Sequence, residues 1–331
     1  MKQKFHEYRR LWGDFHDRLR TFKTPPLRGN PRYGLSDTQV YPSGDNIPNL
    51  LLSSTIANFS TLSLRPSRKM ASIGTCFAEE FAQYLKRNPD LGQYVLVEDN
   101  VFNSSANWGR VYTTENLLQI IKYSFDEQFP LHLEETSKGL IDPLREHSVG
   151  HFNTEAEAVS SIRRHRQLSR KVFLDSDVLV ITLGQNECWY HQEKRYFWGT
   201  TPSSEWLRNH PDNAKPHEID YQRNLEIMRE CLEKLHTVNP RLKVILTVSP
   251  VPSAATFLSS DVVSQSMAGK SVLRAVAHQI QKSFQRTVYY FPSFEMVLCN
   301  NPTSFRSDNR HVRYRVVKKI FLMLKRSLPL G

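Results

Sequence analysis

The chain has 331 residues, of which 39% are hydrophobic and 11% aromatic, enough to bury a sizeable core in one large domain with extensions or in two smaller ones. Its formal net charge of +11 admits nucleic acid, a membrane surface or an acidic substrate, but no nucleic-acid module signature or aromatic ladder accompanies it, so sequence-specific nucleic-acid binding is not expected. No apolar run reaches the roughly eighteen residues of a transmembrane helix, and no membrane span is expected.

The segment Met1–Arg10 lacks the apolar stretch of a signal peptide, so a cytoplasmic location is the expectation. Residues 1–65 read as a loop-rich N-terminal extension wrapped over the main domain. A short helix over Leu11–Leu19 is broken by Thr24-Pro25-Pro26, and Pro31, Pro42 and Pro48 punctuate the remainder of the extension. The main α/β domain occupies residues 66–331. Its first strand, Met70–Ile73, ends at Gly74, which allows a sharp turn. Phe77, Phe81, Tyr84 and Leu85 then recur at helical spacing, with Thr75 as cap and Glu79 and Glu80 near the positive end. A second strand is expected over Tyr94–Val97 and a helix over Thr114–Phe125, capped by Thr113 or Thr114, with Leu117, Leu118, Ile121 and Phe125 on one face. A polar connector covers 126–153. The next helix, Thr154–Val172, carries Arg163, Arg164, His165, Arg166, Arg170 and Lys171, which read as a solvated basic face.

The third strand, Val178–Leu183, is an unbroken aliphatic run between Asp177 and Gly184 and suits a strand buried on both faces. An irregular, aromatic-rich insertion is expected around 189–217. A helix comes next over Ile219–Thr237, with Leu225, Met228, Leu232 and Leu235 in register, and then a fourth strand, Lys243–Val248. A Ser-rich loop over Ser259–Gly269 precedes a helix over Ser271–Phe284. A fifth strand, Thr287–Phe291, and a last helix, Val316–Leu328, close the chain. Strands alternating with helices argue for a parallel sheet of about five strands covered on both faces.

Polar residues gather just after these strands: Cys76 after the first, Asn100 and the stretch Asn103–Arg110 after the second, Gly184 to Glu187 after the third, Ser249 to Pro252 after the fourth, and Ser293, Glu295, Asp308 and His311 after the fifth. The carboxyl edge of such a sheet is where ligands bind. Acyl transfer needs a nucleophile, a base, an orienting carboxylate and oxyanion donors. Cys76, at a helix N-terminus that favours thiolate, supplies the nucleophile; His311 is the base and Asp308 orients it. The Cys76 and Gly109 amides and the Asn186 side chain are the oxyanion donors. Cys76, Gly109, Asn186 and His311 are therefore expected to converge on one pocket. The four cysteines, Cys76, Cys188, Cys231 and Cys299, lie far apart without C-x-x-C pairing and fit neither a zinc site nor a disulfide framework. No metal and no cofactor are expected.

The ordered segments Ile73-Gly74-Thr75-Cys76-Phe77-Ala78, Trp108-Gly109-Arg110-Val111-Tyr112-Thr113, Asp177 to Gly184, Leu246 to Pro252, Lys270 to Ala275 and Tyr290 to Glu295 span most of residues 70–320. Together they resemble the GSCFA domain family, within the SGNH (GDSL-type) hydrolase superfamily. The resemblance implies a flavodoxin-like three-layer α/β/α sandwich with strand order 2-1-3-4-5. It also implies a hydrolase or acyltransferase, an esterase-type activity on a glycan or polysaccharide precursor. The family's usual Ser is Thr75 here. Aligned on Gly74, the superfamily's nucleophile falls at Cys76, with Thr75 as the alternative; Asn186 matches the oxyanion Asn.

Bland readings stand beside these. Cys76 is otherwise a small buried hydrophobe, Gly109 and Asn186 turn residues, and Asp308 and His311 loop residues. Trp189, His191, Trp198 and Trp206 either line a sugar-binding cleft or pack the insertion. Glu187 and Glu295 either support the site or are plain loop carboxylates. The competing function is a non-catalytic glycan- or protein-binding module on the same fold. The sequence leaves the oligomeric state open.

Overall fold

The third expected strand is present residue for residue as Val178–Leu183, and it forms the middle of a five-stranded parallel sheet in the computed structural model. The structure describes residues 59, 62, 67–99, 102, 104–145, 149–299 and 304–328. The chain divides into two units, Met1–Leu50 and Leu51–Gly331, and every element below belongs to the second. The expected N-terminal extension with its Leu11–Leu19 helix lies outside the described residues, apart from Phe59 and Leu62; Asn100 and Asn103 lie outside them too.

In chain order the elements begin with β1 (Lys69–Gly74), α1 (Cys76–Arg87), β2 (Gln93–Tyr94) and α2 (Thr114–Phe125). The hairpin β3 (Glu134–Thr136) and β4 (Gly139–Ile141), α3 (Glu155–Asp175) and β5 (Val178–Leu183) come after them. Next are β6 (Glu187–His191), β7 (Tyr196–Phe197), α4 (Ser204–Asn209), β8 (Ala214–Glu218) and α5 (Tyr221–Val238). The rest is β9 (Lys243–Val248), α6 (Val262–Ser283), β10 (Val288–Tyr290), α7 (Ser293–Leu298) and α8 (Tyr314–Ser327). The main sheet runs β2-β1-β5-β9-β10, all pairs parallel, so the five strands adopt the expected order 2-1-3-4-5.

The period-two alternation of a strand sends successive side chains to opposite faces, and both faces here are apolar. Ala71, Ile73, Leu179, Ile181, Leu183, Val244, Leu246 and Val248 point into a core shared with α2, α3, α5 and α6. Met70, Val178, Val180, Ile245 and Tyr289 point the other way, onto Phe77, Phe81 and Leu85 of α1 and Val317, Ile320, Phe321 and Leu324 of α8. The result is a three-layer α/β/α sandwich. Side-chain caps start its helices: Thr75, Thr113, Thr154, Asp220 and Asp261 each accept from a backbone amide two or three residues on.

Four local expectations change. Strand β2 is shorter than Tyr94–Val97, because the chain turns away after Val95: Val97 N donates to Ser105 O (2.9 Å), and Ser105 Oγ accepts from Ser72 N (3.0 Å), so the segment around Ser105 takes over beside β1. The connector over 126–153 holds the β3–β4 hairpin. The insertion is not irregular: β7-β6-β8 form an antiparallel sheet, and the short α4 lies between β7 and β8 in the chain. Helix α6 starts at Val262 rather than Ser271, since Asp261 accepts from Ser264 N (2.9 Å) and Ser266, Gly269 and Lys270 are buried.

The basic stretch of α3 divides. Arg163, Arg164, Arg170 and Lys171 are exposed. His165 is buried, with its ring nitrogens 2.7 Å from Glu98 and 2.9 Å from the Tyr123 hydroxyl. Arg166 lies over the Tyr123 and Phe129 rings and donates to the Phe129 and Pro130 carbonyls. Among the described residues no helix is long and apolar enough to cross a membrane.

Candidate active site

Strand β1 ends against β5. Gly74 has φ +140°, and a Cβ there would lie 2.5 Å from the Thr182 carbonyl oxygen, so the position requires glycine. The turn it allows leads straight into α1. Thr75 is buried, and its Oγ1 accepts from Phe77 N (3.2 Å), its carbonyl from Ala78 N (2.8 Å). Cys76 is thus the first residue of the helix, where unpaired amides and the helix dipole favour an anion.

A cleft of about 810 Å³ opens at the carboxyl edge of the sheet. Cys76 from the end of β1, Gly184 and Gln185 from the end of β5, and Ser249 from the end of β9 line it. Arg110 comes from the loop before α2, Lys270 from α6, and Arg310 and His311 from the loop before α8. Cys76 is partly exposed. Burial pushes its thiol up from the ordinary value, while the charges of Arg110 and then Lys270 pull it down; Glu79 opposes them, and the Cys76 amide assists them. Glu79 is itself paired with Arg110 at 3.5 Å.

Lys270 is 5% exposed, and its Nζ donates to the Gly184 carbonyl at 2.5 Å. Burial pushes its ammonium down to about 7, with the Cys76 charge acting the other way. No carboxylate pairs with it among the described residues. Gly269, the residue before it, lies against the next strand end: a Cβ there would be 2.2 Å from Asn186 Oδ1. That close approach lets α6 bring Lys270 over the end of β5.

At the rim, His311 Nδ1 lies 2.5 Å from Asp308 Oδ2, and Asp308 Oδ1 accepts from the amides of Arg310 and His311 (3.0 Å each). The hydrogen bond from His311, with those amides, holds the Asp308 carboxyl well below the usual range. Both side chains are nearly half exposed, at 49% and 44%.

The other candidates fall in different places. Gly109 (φ 73°) and Asn186 are not among the cleft-lining residues. Asn186 is buried, its Nδ2 donates to Glu218 Oε1 (3.1 Å), and its carbonyl accepts from Ile219 N (2.7 Å). Glu187 lines the cleft, with both carboxylate oxygens taken by Thr256 Oγ1 and Phe257 N at 2.7 Å. Trp189 and Trp198 line it, and Trp189 meets the half-exposed Phe257 edge to face at 5.0 Å. His191 and Trp206 instead pack the insertion: His191 is 1% exposed among Tyr196, Trp198 and Trp206, and Trp206 Nε1 donates to Glu134 Oε2 (3.2 Å). Glu295 is held by Arg274 Nε and the Tyr290 hydroxyl, away from the cleft.

Two charged residues at the site, Lys270 and Arg110, are missed by sequence reasoning. For Lys270 a signal exists. It sits on the stripe Ser266, Gly269, Leu273, Val276, Ala277 and Ile280, the buried face of α6, where a lysine is out of character. Arg110 lies in a loop and carries no such signal.

A parallel sheet covered on both faces, with a thiol, a buried amine and an imidazole lining one cleft at its carboxyl edge, defines a three-layer α/β protein with a thiol-bearing cleft. The chain belongs to the GSCFA family, whose model matches residues 69–323, from the start of β1 into α8. None of the curated proteins matches the chain.

Proposed function

We propose that this protein hydrolyses or transfers acyl esters through a thioester on Cys76, in the manner of SGNH-type hydrolases. The observation that carries the reading is that Cys76, at the N-terminus of α1, and His311, whose Nδ1 is held by Asp308, line one cleft. The Cys76 thiolate attacks the ester carbonyl. The oxyanion that develops is met by the Cys76 amide at the N-terminus of α1, with the side-chain amide of Gln185 close to the end of β5 as a second donor. Asn186, whose amide is directed at Glu218, supports this strand end from behind. On collapse the carbon–oxygen bond breaks, and the alkoxide takes a proton from the His311 imidazolium. In the second half-reaction water or an acceptor hydroxyl returns a proton to His311 as it attacks the thioester and releases Cys76. His311 thus enters the cycle protonated, is neutral while the thioester exists and is protonated again at the end; Asp308 stabilises its charged form.

A glycan suits the ester-bearing substrate, because Trp189 and the half-exposed Phe257 offer aromatic surface on the cleft wall. The same surface favours the second reading, a binding module without turnover. The test is hydrolysis of acetylated oligosaccharides by wild type and Cys76→Ala. Release of acetate by wild type, abolished in Cys76→Ala with binding retained, supports the enzyme. Binding without release in either protein supports the module.

A further inference from the structure

We propose that Lys270, rather than His311, is the base that takes the Cys76 thiol proton, so that a partly exposed nucleophile is paired with a buried amine. The inference rests on Cys76 being the nucleophile. Lys270 is buried against the cleft, and among the described residues its Nζ has one acceptor, the Gly184 carbonyl, although an ammonium offers three donors. That carbonyl belongs to a residue packed onto the neighbour of Cys76: a Cβ on Gly184 would lie 2.4 Å from Thr75 Cγ2. The amine is therefore held close to the N-terminal end of α1, and it lines the same cleft as Cys76.

A buried cation without a counter-anion is unfavourable. No carboxylate answers it among the described residues, and Cys76, which lines the same cleft, is the group whose ionised form would offset its charge. The charged groups facing the thiol come from three elements: Glu79 of α1, Arg110 of the loop before α2 and Lys270 of α6. Glu79 and Arg110 engage each other. His311 stands at the rim with its ring half in solvent and its Nδ1 engaged by Asp308.

The step balances within the pair. The neutral amine of Lys270 accepts the thiol proton and becomes an ammonium, leaving a thiolate whose electron pair forms the carbon–sulfur bond. The ammonium then holds that proton while the thioester exists. When the second half-reaction breaks the carbon–sulfur bond, the thiolate recovers the proton from Lys270. His311 serves the oxygen atoms that leave and arrive.

The experiment reads the thiol without any ester. Cys76 alkylation by iodoacetamide is tracked against pH by peptide mass spectrometry in wild type, Lys270→Met, Lys270→Gln and His311→Gln. Lys270→Gln keeps an N–H for the Gly184 carbonyl and guards against loss of fold, which circular dichroism checks. Near neutral pH both Lys270 variants are expected to alkylate at least about tenfold more slowly, with the midpoint of the profile moved to higher pH by about a unit or more. His311→Gln is expected to alkylate within about twofold of wild type. Wild-type rates and midpoint in folded Lys270 variants, or an equal loss in His311→Gln, would overturn the proposal. Failure of the acyl-transfer reading alone would look different, as a Lys270-dependent thiol that accepts no acyl group.

Discussion

Replacing Gly269 by alanine should destabilise the protein, although the change is favourable for an isolated helix. In a helix interior Gly→Ala gains about 1 kcal/mol from backbone entropy. Here the new Cβ would lie 2.2 Å from Asn186 Oδ1 and 2.9 Å from Asn186 Cγ, in a buried contact between α6 and the end of β5. Overpacking of this kind costs about 1–3 kcal/mol. Displacing the Asn186 amide from Glu218 adds about 1 kcal/mol. The steric and hydrogen-bonding costs outweigh the propensity gain, so Gly269→Ala is expected to lose about 1–3 kcal/mol. The obstacle is one side chain, so removing it should reverse the sign. In an Asn186→Ala background Gly269→Ala should stabilise, recovering the propensity gain of about 1 kcal/mol. The assay is urea unfolding of the four proteins in a double-mutant cycle, with a coupling energy of about 2 kcal/mol or more between the sites. The same sign of effect in both backgrounds would refute the packing argument.

Gly74→Ala combines a left-handed φ of +140° with a Cβ 2.5 Å from the Thr182 carbonyl oxygen; a loss of more than about 3 kcal/mol is expected in denaturant unfolding, and wild-type stability would refute the strain. Trp189→Ala should raise KM for an acetylated oligosaccharide by about fivefold or more, while leaving kcat/KM for a small activated ester nearly unchanged; equal effects on both substrates would remove Trp189 from glycan recognition. The folded-state value of Asp308 is depressed by its bond from His311, so the stability it contributes is present above the unfolded carboxylate value and fades as pH falls through the folded one. Asp308→Asn should therefore lower stability near neutral pH, and the gap to wild type should close in acid unfolding curves; a gap that widens with acid would contradict that sign.

Much of the fold is legible in the sequence where the physics is local and uniform. Strands β5 and β9 are aliphatic runs buried on both faces, and α2 begins and ends where its cap and apolar face indicate. Legibility fades where tertiary contacts decide. Ser105, further along the chain, takes the place beside β1 that the apolar pattern gives to Val97. The Ser- and Gly-containing start of α6 reads as loop because such residues are weak helix formers; the Asp261 cap and the buried contacts of Ser266, Gly269 and Lys270 make it helix. At the site, Cys76, Asp308 and His311 stand out by their chemistry and by their position after strands. Lys270 does not, since a lysine within an apolar stripe shows its role only when the facing Gly184 carbonyl is known. For the aromatic residues the sequence leaves two roles open; in the structure Trp189 lines the cleft beside Phe257, His191 and Trp206 pack the insertion, and Trp198 is buried in that packing with one edge at the cleft.

The central claim, that Cys76 carries the acyl group, is tested most directly by trapping it. The protein is mixed with p-nitrophenyl acetate, quenched in acid within the first turnover, digested and mapped by mass spectrometry. An acetyl group on the peptide bearing Cys76, removed by hydroxylamine and missing in Cys76→Ala, is the expected result. Undiminished ester turnover by Cys76→Ala, or an adduct on Thr75 in its place, would contradict it.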